Sequence, residues 1–348
     1  MPIKPLRVMV LMHQDLMPPD ELDGINPDSA EWRNSNVNWK TEFDVTYHLK
    51  KLGHQTLPVG VHSDLSVIRQ SIQKWKPDIV FNLLEEFDDY ATYDQNIVSY
   101  LELQKVPYTG CNPRGLMLAR DKAISKKILS FHRIHCPKFH VVKKGQTPHL
   151  PKSFTYPVIV KSLIEEGSLG ISQGSVVESR EKLVERVKYI HNQIQTDAII
   201  ESYIEGREFY VGILGNHKLE VLPIWELEFK NVPNDFVPIA TSRVKWNSTY
   251  REKYGIRSVK AVDLTENEIK TISETCKKIY KRLELNGYAR IDLRYTPEKE
   301  IYVIEANPNP GIALGEEFSE SAEMKGYSYN ELLQKVIRLG LSWFENRN

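Results

Sequence analysis

Cysteine is scarce: Cys111, Cys136 and Cys276 are the only three in 348 residues, an odd number with no CxxC spacing. That excludes a disulfide scaffold and a cysteine-built zinc site, and reads as free thiols in a reducing compartment. Long apolar runs are missing too. None approaches the ~18 residues a membrane span needs, and no charged-then-apolar leader with a cleavage site is read at the start. Excess charge of one sign is the third absence. Forty-six basic residues balance 46 acidic ones, which argues against a general nucleic-acid or membrane-surface binder. Internal repeats and low-complexity tracts are not found. The expectation is a cytoplasmic globular chain, and at roughly 150 residues per domain its length suggests two or three packed units.

The chain opens on residues 6–12 (LRVMVLM), an unbroken apolar run of strand length, as in a strand covered on both faces. Residues 43–52 read as an amphipathic helix closed by Gly53, 56–61 as a strand, 65–75 as a helix and 78–84 (DIVFNLL) as a third strand. Strands alternating with helices at this spacing predict a parallel sheet with right-handed crossovers. The polar, Pro- and Asn-rich stretch 14–40 interrupts this pattern; a loop that long at the carboxyl end of a strand is either disordered or a lid. A helix over 94–104, a short strand at 106–110 (VPYTG) and a helix over 121–130 follow, and 137–157, rich in Lys, His and Pro, reads as a linker. Beyond it strands are expected at 158–161, 174–177, 198–201, 208–214 and 219–225, with a helix over 182–193. A long helix over 265–283 precedes strands at 287–295 and 299–305, and an amphipathic helix covers 329–344.

The strongest chemical signal is Arg290-Ile291-Asp292-Leu293, followed by Ile304-Glu305-Ala306-Asn307. Asp292 sits inside an apolar strand and Glu305 ends the next one. Paired as antiparallel neighbours, the two carboxylates can point to one side, and Asn307 adds an amide oxygen. That is a hard, all-oxygen set suited to Mg²⁺. Carboxylates inside apolar strands are costly unless they bind something. The second signal is Lys161, at the end of its strand and followed by Glu166-Gly167-Ser168-Leu169-Gly170, with Lys122 opening a helix. Glycines let backbone N–H groups approach phosphate oxygens and lysines supply charge, so the set resembles a phosphate cradle; alone the loop is a weak signal. Third, residues 199–208 (IIESYIEGRE) form a strand, a short hinge and a second strand: a base-reading hinge with a ribose carboxylate, or an ordinary hairpin.

Taken in this order, the segments resemble the ATP-grasp superfamily, and most closely its D-alanine–D-alanine ligase branch, from residue 6 to about 341. The resemblance implies an α/β and α+β chain: an N-terminal parallel-sheet domain (1–112), a central ATP-grasp subdomain (113–215) and a C-terminal one with the metal site (216–348). It implies ATP and Mg²⁺ (or Mn²⁺), with Asp292, Glu305 and Asn307 as metal ligands. Lys122 and Lys161 match the ATP-phosphate lysines, and Glu166, Gly167 and Ser168 the glycine-rich loop. Glu201, Tyr203 and Ile204 match the adenine hinge, and Glu208 the ribose carboxylate. Lys245 matches a lysine near the γ-phosphate, Arg290 the arginine near the transferred phosphate, and Gly311 the glycine whose N–H meets the developing oxyanion.

Departures from the family pattern shape the expected substrates. The ligases carry His-Gly after the third strand, whereas residues 82–89 (NLLEEFDD) hold no histidine. Their Ser-Ser has become Gly167-Ser168. The Ser-Leu that meets the carboxylate of the second D-alanine has become Glu316 and Glu317. A carboxylate cannot hydrogen-bond an incoming carboxylate unless one is protonated, and like charges in a desolvated pocket repel. With Glu85, Glu86 and Asp88 nearby, D-alanyl-D-alanine synthesis is not expected, and a cationic or uncharged amine is the favoured acceptor. Glu42 matches the acid that meets the first substrate's ammonium. The function read from the chain is an ADP-forming carboxylate–amine ligase acting through an acyl phosphate on an amino acid or small peptide. Its partners are small molecules, with no nucleic acid or membrane, and a homodimer is allowed. The rivals are a small-molecule kinase of the same fold and a non-catalytic nucleotide-binding protein.

Overall fold

The structure, a computed structural model, describes residues 4–19, 26–165 and 167–346. Strands β1 (Arg7–His13), β2 (Gln55–Val61) and β3 (Ile79–Asn82) form a parallel sheet in the order β2-β1-β3. The apolar run of β1 has a simple cause: both of its faces are dry. Met9 and Leu11 pack with Ile68, Ile97 and Leu101 on one side. Val8, Val10 and Met12 pack on the other with Val45 and Leu49 of the helix Lys40–Lys51, and with Leu332, Val336 and Ile337. The last three belong to the helix Tyr329–Glu345, started by a Ser328/Glu331 capping box, so the end of the chain returns to cover its first sheet. Gly340 makes that return possible, because a Cβ there would collide with the Tyr108 carbonyl.

Strands β4 (Phe139–Val142), β5 (Val158–Ser162), β6 (Val176–Val177) and β7 (Ala198–Ser202) form an antiparallel sheet ordered β4-β7-β5-β6. The helix Arg180–Tyr189 covers it through Leu183 and Val187. The third sheet contains β8 (Arg207–Leu214), β9 (Glu220–Val221), β10 (Trp225–Phe229), β11 (Ile256–Lys260), β12 (Tyr288–Tyr295) and β13 (Ile301–Pro308). Its order is β11-β10-β8-β12-β13, with β9 beside β8. Along β12 the period of two sorts the residues. Ala289, Ile291 and Leu293 pack with Phe209, Val211 and Ile213 against Ile272, Cys276 and Ile279 of the helix Glu266–Arg282. Arg290, Asp292 and Arg294 face the other way.

Several expectations are corrected. The expected linker 137–157 contains β4, whose four residues are too few to show a period. The strand expected at 106–110 is a single bridge, Val80 to Tyr108. The strand expected at 219–225 is split into β9 and β10, with Pro223, which has no N–H to donate, between them. The described part of 14–40 is folded against the body. Ser29 caps a short helix, Ala30–Arg33, whose Trp32 ring lies 5.0 Å from that of Phe43. Helices Pro113–Arg120 and Glu317–Lys325 were not anticipated.

Candidate active site

Strands β12 and β13 carry the chemistry on one face. Their register sets Asp292 opposite Glu305 and Arg290 opposite Asn307, and β8 adds Glu208 opposite Arg294 and Tyr210 opposite Asp292. Directly opposed residues share a face, so all of these side chains rise together. Arg290 grips Asp292 twice, Nε to Oδ1 at 2.7 Å and Nη2 to Oδ2 at 2.9 Å, and Asn307 Nδ2 donates to the same Oδ2 at 2.9 Å. Asp292 is 4% exposed. Burial pushes its carboxyl up, Arg290 pulls it back, and the neighbouring Glu305 pushes it up again. Glu305 goes the other way: burial raises it, but Lys122, Lys245, Lys161 and Arg290 together hold it well below the ordinary carboxylate range.

Three lysines converge on this pair from separate elements. Lys122 begins the helix Lys122–Phe131, whose cap Asp121 accepts the Ala123 and Ile124 N–H groups. Its Nζ donates to the Glu165 carbonyl at 2.5 Å and stands 3.8 Å from Glu305 Oε2. Lys161 on β5 donates to Glu201 Oε2 at 3.1 Å. Lys126 lies 3.2 Å from the other Glu201 oxygen and donates to the Ile304 carbonyl at 2.5 Å. Glu201 is thus a buried anion shared by two lysines.

Lys245 comes from the helix Ser242–Trp246, and the glycine-rich loop is pinned to that helix. Ser242 Oγ donates to the Ser168 carbonyl at 2.5 Å and Trp246 Nε1 to the Gly167 carbonyl at 3.2 Å. Gly167 and Ser168 both have positive φ, 65° and 61°. Glu166, expected in this loop, lies outside the described residues. At the other end of the cleft Glu208 accepts from Arg294 Nη2 at 2.6 Å and from the Tyr210 hydroxyl at 2.9 Å. Arg294 also donates to the Gly206 carbonyl at 2.8 Å, fastening the hinge to β12. Gly206 (φ 150°) is required there, since a Cβ would strike the Tyr295 carbonyl.

The acidic side is assembled differently. Just past β13 the Glu316 carboxylate occupies the space that a Cβ on Gly311 would take. Burial, then Glu317, raises the Glu316 carboxyl to about 7; Glu85 adds to this, while Lys40 and Arg290 oppose it. Burial raises Glu317 as well, but Arg290 and the Ser258 hydroxyl, 2.9 Å from its Oε1, bring it below the ordinary value. Glu42 is raised to about 8 by burial, then by Glu85, Glu316 and Asp44. Its Oε2 is buried without a hydrogen-bond partner among the described residues. Asp44, one helical step on, is fully satisfied by Trp32 Nε1 (2.5 Å), Lys40 Nζ (3.1 Å) and the Leu314 N–H (2.9 Å). That contact ties the helix Lys40–Lys51 to the loop leading into Glu316. Glu42 thus feels Glu85 and Glu316, and Glu316 feels Glu317 and Glu85, so the four expected substrate acids are within electrostatic reach of one another, whereas Glu86 stands 3.7 Å from His13.

Residues 125–338 match the D-ala D-ala ligase C-terminus family. The chain belongs to this family. It is similar to the D-alanine–D-alanine ligase of Carboxydothermus hydrogenoformans, with 27% identity over 315 residues, 88% of this chain and 94% of that one. Among solved structures it resembles the Bacillus anthracis D-alanine–D-alanine ligase complexed with ATP (TM-score 0.74, 20% identity, 99% and 100% coverage). It also resembles the VanG D-Ala:D-Ser ligase of Enterococcus faecalis (TM-score 0.70, 20% identity, 97% and 99% coverage). The fold is ATP-grasp, and the chain is a carboxylate–amine ligase of the ADP-forming class.

Within this ATP-grasp ligase the donor set fits Mg²⁺: a buried and a half-buried carboxylate directly opposed, an amide beside them, and no nitrogen or sulfur donor in the set. Sequence reasoning missed Lys126, Arg294 and Asp44. Two of these had a signal. Lys126 follows Lys122 by four residues and shares its helix face. Arg294 continues the alternation of Arg290 and Asp292. For Asp44 only Lys40, four residues earlier on its own helix, was readable; Trp32 comes from a separate short helix and Leu314 from the far end of the chain.

Proposed function

We propose that this ligase joins a small carboxylate to a cationic or uncharged amine, and that D-alanyl-D-alanine synthesis is not its reaction. A carboxylate oxygen of the first substrate attacks the γ-phosphorus of ATP and the bond to ADP breaks, giving an acyl phosphate. The amine nitrogen then attacks the acyl carbon, phosphate leaves, and the amine's surplus proton departs to solvent. Lys122, Lys161 and Lys245 neutralise the phosphate oxygens, and the Gly167-Ser168 loop closes over them. The Tyr203-Ile204 backbone reads the adenine edge, and Glu208, oriented by Arg294 and Tyr210, binds the ribose. Arg290 and the Gly311 N–H stabilise charge at the reacting carbonyl. Bound at Asp292, Glu305 and Asn307, Mg²⁺ or Mn²⁺ would supply the remaining charge neutralisation that phosphoryl transfer needs. Residues 1–112, 113–215 and 216–348 are read as the substrate, central and C-terminal units.

The observation that carries the ligase roles is the directly opposed Asp292–Glu305 pair, with Glu305 held low by three lysines. The acceptor class is supported by Glu42 and Glu316, whose carboxyls the nearby Glu85 helps push up and which would welcome a cation instead. The test supplies purified chain and Mg-ATP with pools of amino acids, dipeptides and di- or polyamines, D-alanine included. Phosphate release and mass spectrometry of the products are read together. ATP consumption with a new amide supports the ligase reading, and a phosphorylated product without an amide replaces it with a kinase. Robust D-alanyl-D-alanine formation would overturn the acceptor class and keep the ligase.

A further inference from the structure

The carboxyl ends of β1 and β2 hold a second group of ligating side chains, separate from β12 and β13. His13 ends β1 in parallel register with Val61, and His62 is the first residue of the loop that follows β2. The two rings stand edge to face with centroids 5.4 Å apart. The loop after β3 contributes Asp89. Asp88 and Asp89 (φ 54° and 61°) form the turn between Phe87 and Tyr90, and the Asp88 N–H donates to the His62 carbonyl at 2.8 Å. Asp89 Oδ1 lies 3.2 Å from His62 Nε2. One ligand atom from each of His13, His62 and Asp89 lies within 4.8 Å of the other two, the only such trio of His, Cys, Asp or Glu among the described residues.

We propose that His13, His62 and Asp89 bind one divalent transition-metal ion of the Zn²⁺ class, at a site distinct from the carboxylate hairpin. Two imidazoles and one carboxylate suit Zn²⁺, Co²⁺ or Ni²⁺, whereas Mg²⁺ takes oxygen donors. His13 is the fixed member: its side chain is 9% exposed and its Nε2 is buried with no hydrogen-bond partner among the described residues. Its Nδ1 accepts a long bond, 3.3 Å, from the Asp15 N–H. Coordination at Nδ1 replaces only that bond and leaves the Nε2 proton facing Glu86 Oε1, 3.7 Å away. A carboxylate behind a metal-bound histidine is the common way of orienting the ring. His62 and Asp89 are the adjustable members, with side chains 39% and 77% exposed. The ligand atoms already lie within 4.8 Å of one another, with His62 Nε2 and Asp89 Oδ1 at 3.2 Å, close to the ~3.4 Å between ligands of a tetrahedral site. A cleft of about 410 Å³, lined by Gln14, Asp15 and Asp64, opens at His62.

The test uses the full chain without a histidine tag, stripped by chelator. It is titrated with Zn²⁺ by calorimetry and with Co²⁺ by visible absorption, with Mg²⁺ as the control ion. One equivalent of Zn²⁺, a raised Tm and Co²⁺ bands of a four- or five-coordinate ion are expected. His62→Gln and Asp89→Asn, both at the surface, should each weaken Zn²⁺ binding about tenfold or more, and Glu305→Gln should leave it unchanged. The proposal falls if Zn²⁺ shows no saturable binding, if His62→Gln binds as tightly as the parent, or if Glu305→Gln abolishes binding.

Discussion

Glu305 and Glu316 both feel the charge of Arg290, yet they titrate in opposite directions. Glu305 is held low because lysines from three elements outnumber its acidic neighbour. Glu316 is pushed up to about 7 because burial is joined by Glu317 and Glu85, with Lys40 and Arg290 as the opposing charges. Burial is common to both, so the sign is set by what surrounds each carboxyl. One side of the cleft carries an excess of cations, as triphosphate binding needs. The other carries an excess of anions with one buried oxygen, Glu42 Oε2, unpartnered, as an ammonium site needs.

The largest effect should come from the cationic side. Asp292→Asn and Glu305→Gln keep size and shape and remove one charge each. Either should lower Mg²⁺-dependent ATP turnover by about a hundredfold or more, the scale of losing one preorganised electrostatic group, with near-native circular dichroism. Near-parental turnover in Glu305→Gln would show that the two sides do not differ in the way argued. Lys126→Met probes the same side through Glu201. It leaves a buried carboxylate with one cation where it had two, and should cost about 3 kcal/mol of stability, read by urea unfolding. A loss below about 0.5 kcal/mol would mean that Glu201 is solvated and that Lys126 holds nothing in place.

The two sides also differ in how far the sequence disclosed them. Asp292, Glu305, Asn307 and Arg290 lie on two adjacent strands, where a period of two and a tight hairpin fix which side chains meet. Their grouping follows from local geometry, and so do the sheet and helix that carry them. The parallel sheet around β1 was legible for another reason: an unbroken apolar run and helices between the strands. Glu42, Glu85 and Glu316 come from a helix start, a loop and a helix cap, and only tertiary packing through Asp44, Trp32 and Leu314 sets their separation. Their acidity was visible, but their mutual reach was not. The described part of 14–40 hid itself similarly: a four-residue helix with one buried Trp has no period to read. The pairing of Glu201 with Lys126 and Lys161 was not legible, because an acid at a strand end suits both a hinge and a buried ion pair.

Asp44→Ala tests that packing with a smaller effect. It removes the acceptor of the Trp32 Nε1–H, the Lys40 ammonium and the Leu314 N–H at once. Leaving buried donors unpaired should cost about 1–3 kcal/mol. The released loop should raise KM for the amine more than it lowers ATP affinity. Equal losses in both would place Asp44 in the general core rather than behind the acceptor loop.

The smallest effect is a pH dependence, and its sign follows from Glu316. Its carboxyl ionises at about 7 in the folded chain against an ordinary 4.5. Between those values the folded state keeps a proton that the unfolded chain has lost, so stability falls as pH rises through the window. Below it both states are protonated and nothing changes; above it the penalty is complete. Glu42, raised to about 8, extends the same trend upward. Through Glu316 alone the chain without substrates should therefore lose roughly 2–3 kcal/mol between pH 5 and pH 8, and Glu42 adds to that loss. Glu316→Gln, which cannot ionise, should flatten part of that slope and leave the acid limb below pH 4 unchanged. A bound cationic amine should flatten it as well, because a positive charge lowers both carboxyls toward their unfolded values. Urea unfolding across that range, with and without a diamine, reads both effects. A slope of opposite sign would mean that Glu316 and Glu42 are already compensated, and the contrast with Glu305 would disappear.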